Sequence, residues 1–295
     1  MITHRHSRNL SFDLDEAPLA SGEVAIVGAG PGDPGLLTLR ALSLLQQADC
    51  LVFDRLVSQE VLALAPVSAR RYYVGKASRC HALTQDETNA LLVRLAGEGQ
   101  RVLRLKGGDP YIFGRGGEEA EYLIEHGVGF RVVPGITSAS GCSTYSGFPL
   151  THRDFAQSVT FVTGHCKADS ALDLNWAALA VPNHTAVFYM GLANAGLISR
   201  ELQRNGLPAT HPVALVERGT TPQQRHVLAT LGDVVEVIER ENFQPPTLIV
   251  VGEVVRLADT LAPAMTRMTR RDTEAGIDAN SDSANAPAEM GRMAL

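Results

Sequence analysis

The sequence is poor in several features that would place it in a specialised class of protein. Its four cysteines form no C-x-x-C pair and no spacing typical of a metal site, aromatic residues amount to 5%, and no apolar run approaches the length of a membrane span. These absences argue against a disulfide framework, a metal centre and a membrane anchor. Since the N-terminus also lacks an apolar signal region, we expect a cytoplasmic protein with free thiols.

The sequence also lacks a basic excess. Its 26 Lys and Arg residues stand against 32 Asp and Glu residues, which gives a formal net charge of −6. General nucleic-acid binders usually carry clustered positive charge, so this balance disfavours a nucleic-acid partner. The mild acidity by itself is typical of an ordinary soluble protein, and we expect no membrane partner.

The chain of 295 residues, 45% of them hydrophobic, is long enough for about two globular domains. Strand-like runs alternate with helical patterns in the first half, which indicates a largely parallel sheet, whereas denser strands in the second half indicate a mixed sheet. We therefore predict an α/β protein with an N-terminal α/β domain at 22–137 and a C-terminal α/β domain at 138–263. The polar and aperiodic ends, 1–21 and 264–295, are expected to be disordered.

Ten apolar runs are the predicted strands. Those of the first half are EVAIVG, CLVFD, RYYVG, RVLRLKGG and FRVVPG, and those of the second half are SVTFVTGH, TAVFYMGL, HPVALVERG, QRHVLATLGD and PTLIVVGEVV. Thr84 and Glu87 form a capping box that predicts the start of a helix, and another helix is predicted near 118–126. Leu37, Ala41 and Leu44 have the spacing of a helix that follows the first strand.

Glycines and isolated charged residues follow each predicted strand of the first half. They occur in five loops, at 28–33, 54–55, 75–76, 106–109 and 134–137. The carboxyl ends of parallel strands share one edge of a sheet, and ligands of open α/β sheets bind outside that edge. The sequence therefore predicts a ligand site built from these loops.

The first of these loops has the outline of a dinucleotide-binding motif, since its glycines satisfy G-x-G-x-x-G from Gly30 to Gly35. However, Pro31 and Pro34 have no backbone N–H to offer a phosphate, and Asp33 is predicted to cap the following helix. With Asp109 expected at the same edge, two acidic groups favour a neutral or cationic ligand over a pyrophosphate. A nicotinamide-dependent oxidoreductase remains the alternative.

Asp54 leaves more than one interpretation open. It lies about where a dinucleotide fold places an acidic residue, yet it also fits a solvated strand end or the cap of the next helix. The neighbouring Arg55 and the predicted edge position favour a role in the site. Similarly, His152, Arg153 and Asp154 fit a surface ion pair as well as a substrate clamp.

The segment RLKGGDPYIFGRGGEE, residues 104–119, is the densest in charged residues and glycines. A long glycine-rich loop that carries apolar residues, here Tyr111, Ile112 and Phe113, is costly to order unless it binds something. Glu118 and Glu119 are expected to do no more than occupy the first turn of the following helix.

Taken together, these segments resemble the uroporphyrinogen-III C-methyltransferases of the tetrapyrrole methylase family. The matching segments are VGAGPGDPGLLTLRA, VFDRLVS, YVGK, RLKGGDPYIFGRGGEE, VVPGITSASG, GFPLTHRD, FVTGH, FYMGL and PPTLIVVGEVV, in family order from about Val24 to about Val255. The resemblance implies two α/β domains with the active site in the cleft between them, S-adenosylmethionine as methyl donor, S-adenosylhomocysteine as product, no metal, and a homodimer. The implied reaction methylates uroporphyrinogen III at C2 and C7 to give precorrin-2 by way of precorrin-1, for sirohaem, cobalamin or haem d1.

The resemblance also implies roles for particular residues. The donor contacts it implies are Pro31, Gly107, Gly108, Asp109, Ile112, Thr137, Ser138, Met190, Gly219 and Thr247. For Met190 this replaces the interpretation as a core methionine that the residue alone would favour. The family pattern departs here at Ala77, where a second basic residue is common, and at Ser138, where alanine is common.

The implied substrate carries eight carboxylates and needs local cations, and guanidinium groups bind carboxylates bidentately. The candidate substrate-binding residues are Arg55, Lys76, Arg79, Arg115, His152 and Arg153. The resemblance points to Arg115 as a catalytic residue, with Asp54 and Lys76 as acid–base candidates. Because arginine is a poor base at its normal pKa, Arg115 has an alternative role in orienting a substrate carboxylate.

Three further expectations concern the extent of the chain and its alternative functions. The chain has no room for the dehydrogenase–ferrochelatase domains of fused sirohaem synthases, so we expect a monofunctional enzyme. A protein that binds the donor or a tetrapyrrole without catalysis is a third alternative, which the Asp54, Lys76 and Arg115 set disfavours. Within the family, another ring carbon is a possible target.

Overall fold

Two five-stranded sheets form the framework of the protein in the computed structural model, which describes residues 17–75, 83–165 and 172–265. The strands of the first sheet are β1 (Val24–Gly28), β2 (Cys50–Phe53), β3 (Arg70–Tyr73), β4 (Val102–Lys106) and β5 (Phe130–Val133). They are all parallel and lie in the order β3-β2-β4-β1-β5. The predicted strands and the predicted parallel sheet are confirmed.

Helices cover both faces of this first sheet. They are α1 (Leu39–Gln47), α2 (Gln59–Leu62), α3 (Gln85–Gly97) and α4 (Gly116–Glu125), and α5 (Ser138–Tyr145) follows β5. Leucines of α1 and α2 pack on the face that carries Leu103 and Leu105, whereas α3 and α4 pack on the face that carries Val102. The capping box predicted at Thr84 and Glu87 is present at the start of α3. Successive residues of a strand point to opposite faces, so Arg104 and Lys106 of β4 lie with Val102 beneath α3 and α4.

The second sheet is mixed, as predicted. Its strands are β6 (Ser158–Thr163), β7 (His184–Tyr189), β8 (Pro212–Glu217), β9 (Arg225–Thr230) and β10 (Thr247–Val251), and its helices are α6 (Trp176–Leu179), α7 (Ala195–Arg204), α8 (Val234–Arg240) and α9 (Ala258–Leu261). The order is β6-β7-β10-β8-β9, with β6 parallel to β7 and the other pairs antiparallel. Ala139 and Cys142 of α5 belong to the core cluster on one face of this sheet. Helix α5 therefore follows the first sheet in the chain and packs on the second.

Both sheets fall within one compact unit that ends at Ala264, and the boundary proposed between 137 and 138 stays a prediction. Of the segments expected to be disordered, residues 1–16 and 266–295 lie outside the described residues. Residues 17–21 make definite contacts: Leu19 is buried, and Arg131 donates hydrogen bonds to the carbonyl oxygens of Ala17 and Pro18. None of the helices in the described ranges is long and apolar enough to cross a membrane.

Candidate active site

A cleft of about 370 Å³ lies at the carboxyl edge of the first sheet, where it meets the end of β7. Its volume is in the range of small-molecule sites. The lining residues come from the loops after β2, β3, β4 and β5, the start of α3, and the end of β7: Asp54, Leu56, Val74, Gly75, Leu83, Gln85, Thr88, Arg104, Lys106, Gly107, Gly108, Asp109, Ile112, Phe113, Gly114, Arg115, Thr137, Ser138, Tyr189 and Met190. Four of the five predicted loops thus meet at one site, and the loop after β1 is the exception.

The sequence-predicted site residues divide into three groups. Those that line the cleft are Asp54, Gly107, Gly108, Asp109, Ile112, Arg115, Thr137, Ser138 and Met190. Those that the structure places away from its lining are Pro31, Arg55, His152, Arg153, Gly219 and Thr247. Lys76 and Arg79 lie outside the described residues, although Gly75, directly before Lys76, lines the cleft.

Three glycines bring the ends of β1, β4 and β5 unusually close together. A Cβ atom built on Gly135 would lie 2.3 Å from the carbonyl oxygen of Gly108 and 2.9 Å from the Cα of Gly28. Such distances leave no space for a methyl group, so the three loops meet backbone against backbone. This contact fixes the position of Gly108, which lines the cleft.

The loop after β1 supports the cleft from behind and joins the two halves of the chain. Gly30 and Gly108 exchange two backbone hydrogen bonds, with N···O distances of 3.2 and 2.7 Å. The backbone N–H of Asp33 donates to Thr220 Oγ1 at 3.1 Å, and one Asp33 oxygen accepts from the Tyr145 hydroxyl at 2.6 Å. Pro31 packs against α5, where a Cβ on Gly141 would lie 2.5 Å from Pro31 Cγ.

The same loop is poorly suited to a pyrophosphate. As predicted, Asp33 caps its own turn, since its other oxygen accepts from the Gly35 N–H at 2.7 Å. That turn, Pro34–Leu36, is a short 3₁₀ segment, and α1 begins only at Leu39. The amides of Gly30, Asp33 and Gly35 are thus engaged within the protein, which removes the helix N-terminus that a dinucleotide fold presents to phosphate. None of the residues of this loop is among the lining residues of the cleft, and the loop supports the cleft from behind.

Replacing Tyr145 by phenylalanine tests this bracing role. We expect a loss of about 1.5 kcal/mol in the free energy of unfolding, because the hydrogen bond to a carboxylate disappears. Burial, and after it the bond to Asp33, raises the pKa of Tyr145 to about 12. A phenol whose pKa is raised in the folded state stabilises the fold below its unfolded pKa, about 10, and loses that contribution as pH rises toward the folded value.

The difference in the free energy of unfolding between the wild type and Y145F, measured by chemical denaturation, should therefore decrease between pH 10 and pH 12. Tyr122→Phe is the control, because the Tyr122 hydroxyl makes no hydrogen bond within the described residues and its ring stacks on His126. A Y145F protein as stable as the control would contradict the bracing role.

Asp109 closes the turn between the β4 and β5 loops. Its Oδ1 accepts from the Tyr111 N–H at 2.8 Å, and its Oδ2 accepts from the Gly135 N–H at 3.0 Å. The Asp109 carboxylate, for which the sequence predicts a cationic ligand, therefore also stabilises the conformation of its own loop through these two hydrogen bonds. Each carboxylate oxygen has a second lone pair, so a negative charge with spare acceptor capacity still lies at the cleft.

Arg115 lies at the apex of the tight loop that enters α4. A Cβ on Gly114 or on Gly116 would lie 2.6 Å from the Pro110 carbonyl oxygen, so only glycine fits on either side of Arg115. Arg115 itself has a left-handed backbone, with φ of 59°, which is strained for a residue with a side chain. Its Nε and Nη2 donate to the two Glu118 oxygens at 2.9 and 2.5 Å.

The Arg115–Glu118 pair decides what Arg115 does chemically. The hydrogen bonds to Glu118 raise the pKa of Arg115 above its already high ordinary value. The guanidinium therefore keeps its positive charge, which disfavours a role as a base. Glu118 occupies the Nε–Nη2 edge of the guanidinium, and the Nη1–Nη2 edge retains the geometry that binds a carboxylate bidentately.

The second sheet contributes an aromatic and a methionine to the cleft. Tyr189, at the end of β7, shares a hydrogen bond of 2.6 Å with Thr137 Oγ1 and accepts from the Ala139 N–H at 2.9 Å. Its ring contacts Phe113 with a centroid distance of 4.9 Å. Met190 follows with φ of 55° and is 53% exposed, so it is no core methionine.

The residues that sequence analysis missed form a charged cluster, in which Arg104 and Lys106 line the cleft and Glu119 lies buried behind them. Glu119, expected to be a simple first-turn acid of α4, is fully buried, and its Oε1 accepts from Lys106 Nζ at 2.7 Å and from Arg104 Nε at 3.1 Å. Burial and the neighbouring Arg104 lower the pKa of Lys106, against the opposite effect of Glu119. The signal available in the sequence was the pair of cations at alternate positions of an otherwise apolar strand.

The remaining predicted residues have local roles in the structure. His152 pairs with Ala156 in a short turn, and its ring packs against Phe155. Its Nδ1 accepts from the Asp154 N–H at 3.2 Å and lies 3.9 Å from Asp154 Oδ2. Arg55 and Arg153 are exposed. Gly219 faces Cys142 of α5, and the Thr247 hydroxyl donates to the Gln244 carbonyl oxygen at 2.6 Å. In the described parts of the chain no group of three or more His, Cys, Asp or Glu side chains is placed to hold a metal ion.

Comparison with known proteins gives the same family by sequence and by structure. A family model described as Tetrapyrrole (Corrin/Porphyrin) Methylases matches residues 23–235. The siroheme synthase of Azotobacter vinelandii is 60% identical over 246 residues, which cover 83% of this chain and 53% of that protein. The siroheme synthase of Thioalkalivibrio sulfidiphilus is 56% identical over 242 residues, 82% of this chain and 49% of that protein. The chain thus spans about half the length of these curated relatives.

Solved structures match over nearly their whole length. Uroporphyrin III C-methyl transferase from Thermus thermophilus in its native form is 44% identical, with a TM-score of 0.68 and coverage of 80% of this chain and 94% of that one. The same enzyme complexed with S-adenyl homocysteine is 43% identical, with a TM-score of 0.69 and the same coverage. The two sheets, the cleft at the strand ends and these matches together place the chain in the tetrapyrrole (corrin/porphyrin) methylase family.

Proposed function

We propose that the protein transfers methyl groups from S-adenosylmethionine to uroporphyrinogen III, at C2 and C7, to give precorrin-2 by way of precorrin-1. Of the three end products, we assign the precorrin-2 to sirohaem synthesis, because the curated relatives are siroheme synthases. The observation that carries the proposal is the cleft at the carboxyl edge of the parallel sheet, in a chain 43% identical to a uroporphyrin-III C-methyl transferase complexed with S-adenyl homocysteine.

The residues of the cleft fit such a donor. Gly107 and Gly108 present backbone without side chains, and Asp109 places a negative charge beside them, which suits an ammonium or a sulfonium better than a phosphate. Ile112 and Met190 supply apolar contact, and Thr137 and Ser138 supply hydroxyl groups. When bound, S-adenosylmethionine supplies a methyl group that is already activated by its positively charged sulfur. Pro31, Gly219 and Thr247 remain predicted contacts and lie off the lining of the cleft.

The chain's own task is then mainly to position the macrocycle and to receive a proton. Holding two reactants in a fixed orientation supplies a large part of the rate enhancement in a bimolecular transfer. Arg115, which is permanently charged, binds a substrate carboxylate and does not take a proton. Asp54 is the candidate proton acceptor, since its carboxylate lines the cleft and is 28% exposed. Lys76 keeps its predicted acid–base role but lies outside the described residues.

The other proposed substrate contacts are less central in the structure. Arg55, adjacent to Asp54, is exposed in the loop after β2, whereas His152 and Arg153 lie in a separate turn. Arg79 lies outside the described residues. We assign these residues to the peripheral carboxylates of the macrocycle and Arg115 to a carboxylate within the cleft.

A homodimer and a cytoplasmic location are further parts of the proposal. The dimer rests on the family resemblance, and light scattering tests it as a molar mass of twice the 31.6 kDa chain. The cytoplasm is a reducing compartment, and the free, buried thiols of Cys50 and Cys142 are compatible with it.

Calorimetry and mass spectrometry test the proposed function in one preparation. We expect S-adenosylhomocysteine to bind and NAD to show no heat of binding, because the glycine loop has engaged its amides within the protein. Under anaerobic conditions, uroporphyrinogen III and S-adenosylmethionine should give a product heavier by two CH₂ units, because each methyl group that is added is balanced by the loss of a proton. Tight NAD binding without S-adenosylhomocysteine binding would favour the oxidoreductase, and donor binding without a methylated product would favour a non-catalytic module.

A further inference from the structure

The charged cluster of Arg104, Lys106 and Glu119 at the cleft is a poor source of stability. Arg104, Lys106 and Glu119 have side chains no more than 5% exposed. The removal of charges from water costs several kcal/mol for each ion, and replacing such a group by apolar side chains is often neutral or stabilising. The retention of three charges in this place therefore points to a function other than stability.

Glu119 is the anchor of the cluster. Its Oε1 accepts hydrogen bonds from Arg104 Nε at 3.1 Å, Lys106 Nζ at 2.7 Å and Gln85 Nε2 at 3.2 Å. Its Oε2 is buried and has no hydrogen-bond partner within the described residues. One oxygen thus holds three donors from β4 and α3, which leaves the side chain of Arg104 little freedom.

Arg104 connects this anchor to the cleft. Its Nη1 donates to the carbonyl oxygens of Leu105 at 2.9 Å and of Val52 at 3.4 Å, and Val52 lies on the strand that ends beside Asp54. Its Nη2 lies 3.5 Å from Asp54 Oδ2. The planar guanidinium can span these partners in one rigid arrangement, which the flexible point charge of a lysine does not reproduce.

Asp54 is therefore held from two directions. Its Oδ1 accepts from the Leu56 N–H at 2.9 Å, and its Oδ2 faces Arg104. Helix α2 has its own cap, Ser58, so Asp54 is not required there. The carboxylate lines the cleft with lone pairs to spare, and Arg104 is its ion-pair partner.

We propose that Arg104, anchored by Glu119, is a positioning residue that orients the Asp54 carboxylate toward the macrocycle. The inference rests on the proposed function, since it assigns Arg104 a part in methyl transfer that acts through Asp54. A carboxylate turned away from its proton donor loses much of its effect, because displacements of about 1 Å at a reacting group cost about 100-fold in rate.

A double-mutant cycle tests this proposal. Arg104→Lys should lower kcat by about 10- to 100-fold in the wild type and should have no further effect in the Asp54→Asn background. The KM for S-adenosylmethionine and the S-adenosylhomocysteine affinity should stay within about twofold. Glu119→Gln, which keeps the shape and one acceptor oxygen, should lower kcat in the same direction and through the same cycle.

Arg101→Lys is the control for the loss of a guanidinium group, because Arg101 directly precedes β4 and also pairs with a carboxylate, in a half-exposed position. Its Nε and Nη2 donate to the two oxygens of Asp49 at 3.0 and 2.6 Å, away from the cleft. We expect R101K to leave kcat within about twofold. Thermal unfolding of every variant tests whether the protein is folded at the assay temperature. If R104K is unfolded there, E119Q replaces it in the double-mutant cycle with D54N.

The outcomes separate this proposal from a structural role and from the proposed function. A fall in kcat of the same size with and without Asp54→Asn, or a parallel fall in donor affinity, would overturn the positioning role. An unchanged kcat in R104K, or in D54N itself, would overturn it as well. A wild-type protein that binds S-adenosylhomocysteine but transfers no methyl group would refute the proposed function, and this inference with it.

Discussion

Replacing Arg115 by lysine is expected to lower turnover by about 100-fold while S-adenosylhomocysteine affinity changes by less than about twofold. Lysine keeps the positive charge but not the planar fork, and a bidentate arginine is not replaced conservatively by a point charge. In the protein the fork is already oriented, because Glu118 holds one of its edges at 2.9 and 2.5 Å. A substrate carboxylate at the other edge loses both its second hydrogen bond and its fixed direction.

The fall in turnover of R115K should result from weaker positioning of the substrate and not from destabilisation of α4. The Arg115–Glu118 pair is exposed on both sides, and exposed pairs contribute at most about 1 kcal/mol to stability. Arg256→Lys is the control, because Arg256 and Glu253 form a comparable exposed pair three residues apart, with an Nε–Oε2 distance of 2.8 Å. Turnover of R115K close to that of R256K would remove Arg115 from the mechanism.

Replacing Gly135 by alanine is expected to cost about 3 kcal/mol in the free energy of unfolding and to abolish measurable donor binding. The new methyl group would meet the Gly108 carbonyl oxygen at 2.3 Å and Gly28 at 2.9 Å, and all these neighbours are backbone. Overpacking usually costs between about 1 and 3 kcal/mol, and it is most expensive where no side chain can move aside. The strain falls on Gly108, which lines the cleft.

Gly97→Ala is the matched control for G135A. Gly97 is the last residue of α3, and a Cβ built there meets nothing within 4 Å. Alanine at a helical position without clashes should be neutral or stabilise the fold by up to about 1 kcal/mol. Chemical denaturation and S-adenosylhomocysteine titration of the two variants give the comparison. A G135A protein as stable as G97A, with normal donor affinity, would contradict the close three-strand contact.

Much of the fold was predictable because both faces of the parallel strands are covered. Strands buried on two faces appear in the sequence as continuous apolar runs, and β1, β2 and β4 lie within the predicted runs. Ligands of open α/β sheets bind outside the carboxyl ends of the strands, and this rule predicted the location of the site, since loops after β2, β3, β4 and β5 line the cleft. Both conclusions depend only on local pattern and on the topology of the sheet.

The parts that sequence analysis missed depend on distant partners. Asp33 is tied to Thr220 and Tyr145, which are 187 and 112 residues away in the chain, so no local pattern indicated that the glycine loop joins the two halves. Glu119 has the position of an ordinary first-turn acid, and its burial becomes clear only when α4 packs over Arg104 and Lys106 of β4.

The same limit applies to Tyr189. Its sequence context indicates a buried strand end, whereas its hydroxyl group bonds Thr137 and Ala139, which lie 52 and 50 residues away in the chain. Sequence alone locates a hydroxyl group on a strand but does not identify the helix that the strand will meet. Met190 was placed in the cleft by the family resemblance, and its exposure agrees with a position on that surface.

Transfer of a ¹³C-labelled methyl group is the most direct test of the central claim that this cleft methylates uroporphyrinogen III. The purified protein is incubated without oxygen with uroporphyrinogen III and S-adenosylmethionine labelled at its methyl carbon, and the product is analysed by NMR. We predict two new labelled methyl signals, assigned to C2 and C7 of the macrocycle. Absence of labelled product from intact substrate, or label at other ring carbons only, would contradict the account.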